Sequence, residues 1–469
     1  MDDSTHPAGV LSFLDTDLYK LTMQNAVLRF FPDVPVTYSF KNRTPKKKLS
    51  RAAFNWLSEQ ISKLGNISLT EEEEAFLRQR CPYLSEEYIS WLKTFRLRPR
   101  EQVKPIFAPT GNETGDEQTG DVTIHIEGLW LDTILYEIPI LALTSEAYFK
   151  FEDRAWNYDS QEEKAYDKAL TLLKGGCIVS EFGTRRRRDY HTQALVFRGL
   201  VRANADFRNS NPEAEGRIQG TSNVHLAMRF GVDPIGTVAH EWFMGVAAVT
   251  DSYEDASERA LEYWVRSFGV GVLGIALTDT FGTPIFLRAF DKEIPDEVLD
   301  EKKYTGPRPI SYAKAFRGVR QDSGDPATFV ARMREFYNAA GIKDAKTIVF
   351  SDSLNIETCL EYRALALKEG FQPSFGVGTF FTNDFVNLET GGKSTPLNIV
   401  IKLASAKGNQ AVKISDDVGK NTGDEKTVKE VKKRLGYVET ESWTDESKRW
   451  GQEGEKTKDK GSVYDLDAK

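Results

Sequence analysis

Phe316-Arg317-Gly318-Val319-Arg320-Gln321-Asp322-Ser323-Gly324-Asp325-Pro326 is an apolar approach that breaks into a guanidinium, carboxylates and a hydroxyl before a proline. Pro326 suits the first turn of a helix, and a helical pattern continues from it to Ala340. A second apolar run, Thr347-Ile348-Val349-Phe350, then ends in Ser351-Asp352-Ser353. Strand, polar turn, helix and strand in this order form a crossover unit with parallel strands. The layout recurs. Gly176-Cys177-Ile178-Val179-Ser180 leads into Glu181-Phe182-Gly183-Thr184-Arg185, and residues 270–277 lead into Thr278-Asp279-Thr280. Pro373-Ser374-Phe375 ends in Gly376-Val377-Gly378-Thr379, and 232–235 read as a short strand ending at Gly236-Thr237, just before His240. With helical patterns over 252–268 and 356–368, the fold class is α/β, a parallel sheet closed as a barrel. Polar groups at the carboxyl ends of such strands converge on one face.

The 469 residues exceed one ordinary core. Residues 1–145 read as an α+β domain, with helical segments at 52–64 and 71–79 and a strand pair within 105–127. The polar insert 109–121 is expected to be a mobile hairpin tip without chemistry. The barrel spans 146–394, two strands at 397–403 and 410–415 return to the first domain within 395–420, and 421–469 form a C-terminal extension. From Thr440 that extension is charged and polar, and a partly disordered tail is expected.

Seventy acidic against 62 basic side chains give a net charge of −8, which disfavours non-specific binding to nucleic acid or anionic membrane. No stretch approaches the roughly 18 apolar residues of a membrane span. Cys81, Cys177 and Cys359 are too scattered for a disulfide framework or a metal site. Met1-Asp2-Asp3-Ser4-Thr5 has no basic leader, so the expected compartment is the cytoplasm, with a nuclear pool left open.

Several groups can carry chemistry. His240, one of five histidines, can act as base, acid or nucleophile at neutral pH. On an extended segment Arg320 and Asp322 face the same way, so they can hold a substrate carboxylate together with ribose hydroxyls or a metal, or form a local ion pair. The glycines of Gly376-Val377-Gly378-Thr379 let backbone N–H groups approach an anion, with Ser351 to Ser353 adding hydroxyls, or simply make a tight turn. Phe182 and Arg185 can stack on a planar heterocycle and grip a phosphate, whereas the run Arg185-Arg186-Arg187-Arg188 can also be a solvated loop. In Thr16-Asp17-Leu18-Tyr19 the first two residues suit helix capping, and Tyr19 is the candidate for a substrate contact.

Taken together, residues 16–23, Glu181-Phe182-Gly183-Thr184-Arg185-Arg186, Gly220-Thr221-Ser222-Asn223, 236–242, 320–326 and 376–379 resemble the nicotinate phosphoribosyltransferase family in order and spacing. The resemblance implies a type II phosphoribosyltransferase fold, an irregular α/β barrel beside an N-terminal sandwich-like domain, assembled as a homodimer with shared active sites. It implies formation of nicotinate mononucleotide and pyrophosphate from nicotinate and 5-phosphoribosyl 1-pyrophosphate (PRPP) in NAD salvage. ATP is the implied co-substrate, hydrolysed through a phosphohistidine at His240, and Mg²⁺ the implied cofactor.

By the same resemblance, Arg320 holds the nicotinate carboxylate, Phe182 and Tyr19 flank the ring, and Thr221 and Thr237 contact substrate. Tyr19 is expected to reach over from a neighbouring subunit. Arg185, Ser353, Gly376, Gly378 and Thr379 bind ribose phosphate, Asp322 binds ribose hydroxyls, and Asp279 is a ligand for Mg²⁺. Lys402 and Lys413 neutralise pyrophosphate or ATP phosphates. A carboxylate that orients His240 is not evident, because on a continuing strand Glu241 points the other way. The alternatives are nicotinamide phosphoribosyltransferase, disfavoured because 217–223 offer no carboxylate to an amide, and a non-catalytic phosphate-binding barrel.

Overall fold

The computed structural model describes residues 6–110, 112–236, 238–300, 304–417, 421–444 and 457–464. In chain order the first strands are β1 (Pro35–Asn42), β2 (Leu49–Ser50), β3 (Val103–Pro109) and β4 (Thr119–Leu129). Next come β5 (Ile178–Glu181), β6 (Arg217–Thr221), β7 (Ile275–Leu277), β8 (Gly318–Gln321), β9 (Thr347–Phe350) and β10 (Gln372–Val377). A small ribbon, β11 (Phe385–Val386) with β12 (Lys393–Ser394), precedes β13 (Ile399–Ala406) and β14 (Asn409–Gln410).

Strands β5 to β10 form one parallel sheet in the order β6-β5-β10-β9-β8-β7. The two edge strands are not paired with each other, yet alternate residues from both line the same cavity as the central strands. Ile178 and Ser180, Arg217 and Gln219, Ile275 and Leu277, Thr347 and Val349, and Gln372, Ser374 and Gly376 all face it. The period of two means that one face of the sheet surrounds the cavity, so the sheet is curled into an irregular barrel. The opposite face is the packed one, because Val179, Ala276, Val319, Ile348 and Phe350 are each 0% exposed. Pro326–Ala339 and Ile356–Lys368 are crossover helices, each started by a side-chain cap, from Asp325 and Asn355.

The second sheet is antiparallel, in the order β14-β13-β1-β4-β2, with β3 on β4. Its β13 comes from beyond the barrel and pairs with β1 from Val36 to Asn42, so segments distant in sequence share one sheet.

Three strand expectations are corrected. Residues 232–235 form no regular strand, only an isolated bridge from Pro234 to Thr221, and His240 opens the helix His240–Thr250. Only Ile275–Leu277 of 270–277 is a strand, because Leu273 sits at φ 47° and Gly271 at φ 75°, outside extended geometry. Only Asn409–Gln410 begins the expected strand 410–415, after which Lys413 bridges to Thr422. In the C-terminal extension, Glu425–Arg434 is a helix and Tyr437–Thr444 pairs antiparallel with Thr457–Tyr464, while 445–456 and 465–469 of the expected tail lie outside the described residues. Within the 109–121 insert, Gly115–Glu117 is a short 3-10 turn.

The segment before the helix Leu18–Phe30 is stitched to the barrel. Asp17 accepts from Ser222 Oγ at 2.8 Å, Leu18 N–H donates to the Ser222 carbonyl at 2.8 Å, and Asp15 accepts from Asn223 Nδ2 at 2.8 Å. Asp15 also takes both terminal nitrogens of Arg187 at 2.7 Å, in a pair that is 0% and 1% exposed. Removing one partner of a buried, bidentate pair strands the other charge. Asp15→Ala should therefore lower the unfolding free energy, read by denaturant titration, by about 3–5 kcal/mol. A loss under about 1 kcal/mol would show that water already reaches Arg187.

Candidate active site

Two cavities, of about 560 Å³ and about 450 Å³, meet at one junction. The first runs inside the barrel along the strands. The second opens at their carboxyl ends and is ringed by cations, including Arg43, Arg186, Lys393 and Lys413. Phe182, Arg185, His240, Arg320, Asp322, Gly376 and Lys402 line both. Loops after β5, β8 and β10 thus converge with β13, as the strand ends of a parallel sheet allow.

His240 is the centre of the junction, at the N-terminus of its helix and 7% exposed. Its Nδ1 lies 2.9 Å from Thr280 Oγ1, and its Nε2 lies 2.8 Å from Lys413 Nζ and 3.1 Å from Asp322 Oδ2. A lysine ammonium can only donate and an ionised carboxylate can only accept, so Nε2 accepts from Lys413 when Nδ1–H is given to Thr280, and donates to Asp322 in the other tautomer. Burial, reinforced by Lys413, pushes the imidazole down to about 4, so the ring is neutral at physiological pH. The helix N-terminus beside it favours added negative charge.

The carboxylates around His240 come from two strand ends. Asp322 is held by Arg320, Nη2 to Oδ1 at 2.8 Å, and by Ser351 Oγ at 2.8 Å. Burial opposes its charge, but Arg320 and His240 keep the carboxyl well below its usual range. Asp279, 1% exposed, lies 3.0 Å from Lys413 Nζ and accepts from Ser323 Oγ at 2.5 Å. The ligand atoms of His240, Asp279 and Asp322 lie within 4.8 Å of one another. They do not suit Mg²⁺, which prefers oxygen donors and retained water, because the Lys413 ammonium already contacts Asp279 and the imidazole nitrogen. In this arrangement Asp279 is a charge partner of Lys413.

Phe182 and Gly376 are packed as a pair. A Cβ at Gly376 would run into the Phe182 ring, and one at Gly378 would meet the Phe182 carbonyl at 2.9 Å. The glycines therefore make room for an aromatic platform at the cavity wall. Thr379, Gly378 and the exposed Ser353 line the cationic arm, and half-buried Lys402 faces both arms. Burial pushes the Lys402 amine down to about 8, with Glu137 opposing.

Tyr19 lines the cavity of its own chain. Close packing of the N-terminal segment explains this: a Cβ at Gly236 would lie 3.2 Å from the Tyr19 backbone nitrogen. Thr221 is off the cavity wall. It is 0% exposed and donates at 2.6 Å to Glu181, a carboxyl that burial pushes up to about 7. Its neighbour Ser222 takes the wall position. Thr237 lies outside the described residues. The arginine run divides, with Arg185 and Arg186 at the cationic arm, Arg187 on Asp15, and Arg188 buried over Phe149 at 3.7 Å and Phe385 at 4.1 Å.

Sequence reasoning missed Thr280 and a buried ion cluster, and it placed Ser351 in a phosphate cradle, whereas its hydroxyl is engaged with Arg320 and Asp322. Lys20, 0% exposed, pairs with Glu241 and with Glu137 at 2.6 Å. Glu241 also accepts from Tyr38 Oη at 2.6 Å and Trp130 Nε1 at 2.8 Å. Glu137 reaches the cavity wall 3.8 Å from Arg185. The two acidic groups nearest Tyr19 are thus already paired, Glu137 with Lys20 and Asp17 with Ser222. A lysine in the first turn of the helix Leu18–Phe30 carries no local signal for this role. Thr280 does stand at a strand break, which is the signal that could have found it.

A family described as the nicotinate phosphoribosyltransferase (NAPRTase) family matches residues 177–439, and its N-terminal domain matches 14–145. The chain is 45% identical over 454 residues to a Saccharomyces cerevisiae nicotinate phosphoribosyltransferase, covering 94% of this chain and 99% of the relative. It is 38% identical over 435 residues to a Methanosarcina mazei nicotinate phosphoribosyltransferase, covering 88% and 95%. A crystal structure from S. cerevisiae superposes with a TM-score of 0.84 at 44% identity, covering 92% of this chain and 100% of that one. A nicotinate phosphoribosyltransferase structure from Porphyromonas gingivalis gives 0.75 at 31% identity, covering 91% and 100%.

Burial of a neutral His240 has a stability consequence. Between an unfolded value of 6.5 and a folded value of about 4, the unfolded chain binds a proton that the folded one excludes. The contribution is complete above the unfolded value and is lost as pH falls toward 4. His240→Gln should shrink the fall in unfolding free energy between pH 7 and pH 4 by about 3 kcal/mol. Parallel pH profiles for wild type and variant would contradict the burial of a neutral ring.

Proposed function

The chain belongs to the nicotinate phosphoribosyltransferase family, and we propose that its two-armed cavity joins nicotinate to PRPP with ATP hydrolysis coupled through phosphorylation of His240. The products are nicotinate mononucleotide and pyrophosphate, which serve NAD salvage. The observation that carries the reading is the junction: a neutral nucleophilic imidazole, an arginine and an aromatic platform line both arms.

In this reading the nicotinate ring lies on Phe182 near Tyr19, its carboxylate on Arg320. The phosphates of PRPP and ATP lie in the arm ringed by Arg185, Arg186, Lys393, Lys402 and Lys413, beside Gly378 and Thr379. Mg²⁺ enters with these polyphosphates as part of the substrate. For phosphorylation, the Nε2 lone pair attacks the γ-phosphorus, the bond to the β–γ bridging oxygen breaks, and ADP departs with its electron pair. Thr280 keeps the Nδ1 proton in place, and Lys413 stands where phosphoryl oxygens develop charge. In the transfer step, positive charge grows on the ribosyl carbon as pyrophosphate leaves, and cations on the leaving group lower that barrier. Assembly as a homodimer and a cytoplasmic location complete the proposal.

Nicotinamide lacks the carboxylate that Arg320 would hold, and the nearby carboxylates that could receive its amide are already paired. Product formation should therefore be measured with nicotinate and nicotinamide in parallel, each with and without ATP. Nicotinate turnover stimulated by ATP is expected, and nicotinamide turnover at equal efficiency would overturn the substrate assignment. Arg320→Ala should lower kcat/KM for nicotinate about 10- to 100-fold. Incubation with γ-labelled ATP should label wild type and not His240→Ala.

A further inference from the structure

The cavity inside the barrel is longer than the site at its junction needs. Its wall includes the first residues of five strands, Ile178, Arg217, Ile275, Thr347 and Gln372, as well as Phe182, Arg320 and Gly376 toward the other end. A strand rises about 3.3 Å per residue, so the six residues of β10 carry the wall about 20 Å along the sheet. Arg217, Arg317 and Gln372 line the cavity at the amino end and are themselves exposed, so that end also meets solvent. Charge is divided along the length. The acidic side chains on the wall, Asp17, Glu137, Glu241 and Asp322, all lie toward the carboxyl end, and each has a partner. At the amino end Arg217 gives one N–H to the Glu215 carbonyl at 3.2 Å, and the Arg317 guanidinium has no hydrogen-bond or ion-pair partner among the described residues. No acidic side chain lines that end among the described residues.

We propose that the amino end of the barrel is a second mouth, where Arg217 and Arg317 capture a small aromatic carboxylate and pass it along the cavity to Phe182 and Arg320; this rests on the nicotinate reading. A guanidinium fork matches a carboxylate, and two of them at one opening with no acidic neighbour concentrate a small anion there. Beyond them the wall mixes apolar side chains, Ile275, Leu277 and Val349, with the hydroxyls and amide of Ser180, Ser374 and Gln219. A planar ring can lie against the first set while its carboxylate accepts hydrogen bonds from the second. A polyphosphate finds no cation on this stretch of wall among the described residues, and the loss of its solvation keeps it out. The two reactants therefore have separate entrances. In the proposed function PRPP and ATP fill the cationic arm and with it the carboxyl-end mouth, so a ring that had to pass that arm could only bind first. The amino-end mouth lets nicotinate reach a site already loaded with polyphosphate.

The test compares nicotinate capture by loaded and free enzyme in a rapid-quench apparatus. Loaded enzyme, holding PRPP, Mg²⁺ and ATP, is mixed with labelled nicotinate and its first turnover is followed. Free enzyme meets labelled nicotinate for varied times before a chase of PRPP, Mg²⁺, ATP and excess unlabelled nicotinate. For wild type the two capture rate constants should agree within about twofold. Thr347→Trp narrows the amino end, and should slow capture by loaded enzyme about tenfold or more while free enzyme still captures through the empty cationic arm. Arg217→Gln combined with Arg317→Gln should slow capture by loaded enzyme about fivefold at low salt and little at high salt, with kcat and the KM for PRPP unchanged. This exposed pair carries the test if Thr347→Trp fails to fold. Wild-type capture slowed about tenfold by loading, or wild-type behaviour in either folded variant, overturns the inference alone. Absence of product from nicotinate and PRPP in wild type overturns the proposed function and this inference with it.

Discussion

The contact between Lys413 and His240 Nε2, 2.8 Å long, is the interaction on which the rest of the site depends. It joins a side chain beyond β14 to a helix of the barrel, so it exists only when the two sheets dock in one register. That register is set elsewhere, by the pairing of β13 with β1 over Val36 to Asn42. Lys402, opposite Ser39 in the same ladder, is brought to the cavity by the same pairing. The N-terminal sheet is thus a frame that delivers cations to a barrel whose own strand ends supply the carboxylates.

Buried charge around this frame is tolerable because the cations meet partners of opposite sign. Lys20 lies between Glu137 and Glu241, Arg187 takes both oxygens of Asp15, and Lys413 sits on Asp279. Such networks add little net stability compared with apolar packing, but removal of one member is costly. They therefore define one arrangement of the N-terminal segment, the His240 helix and the strand ends, and that arrangement places Tyr19, Phe182 and Arg320 around one space.

The barrel is largely legible in the sequence because its strands are short apolar runs that break at polar residues, and its helices carry caps and period. The breaks at 181–185, 278–280, 320–326, 351–353 and 376–379 all lie beside β5, β7, β8, β9 and β10. The segment 232–235 misleads because four mixed residues before Gly-Thr look like a strand, while its neighbour β6 offers it only one bridge, at Thr221. Once His240 starts a helix, Glu241 turns inward to Lys20, Tyr38 and Trp130, which no alternation rule could show. Thr221 is illegible for a related reason. A threonine in a Gly-Thr-Ser-Asn run looks like a ligand contact, but its hydroxyl is consumed by Glu181, forty residues away. Long-range charge partners such as Lys413 with Asp279 and His240 come from tertiary docking, to which local pattern is blind.

The junction of the two arms has a chemical logic of its own. The strand-lined arm and the arm ringed by cations are distinct, and only a few residues touch both regions. The ribosyl carbon must bridge them, because it is bonded to pyrophosphate before transfer and to the ring nitrogen after it. As the leaving group departs, that carbon becomes electron-poor, and a site ringed only by arginine and lysine would oppose it. The carboxylate of Asp322 is the anionic side chain shared by both arms among the described residues. On the proposed reading its charge, kept ionised by Arg320 and His240, would offset the developing positive charge, and the cations farther along the second arm would stabilise the leaving group. Separation of sign along the path of the reaction, more than any single residue, is what the docking of the two sheets achieves.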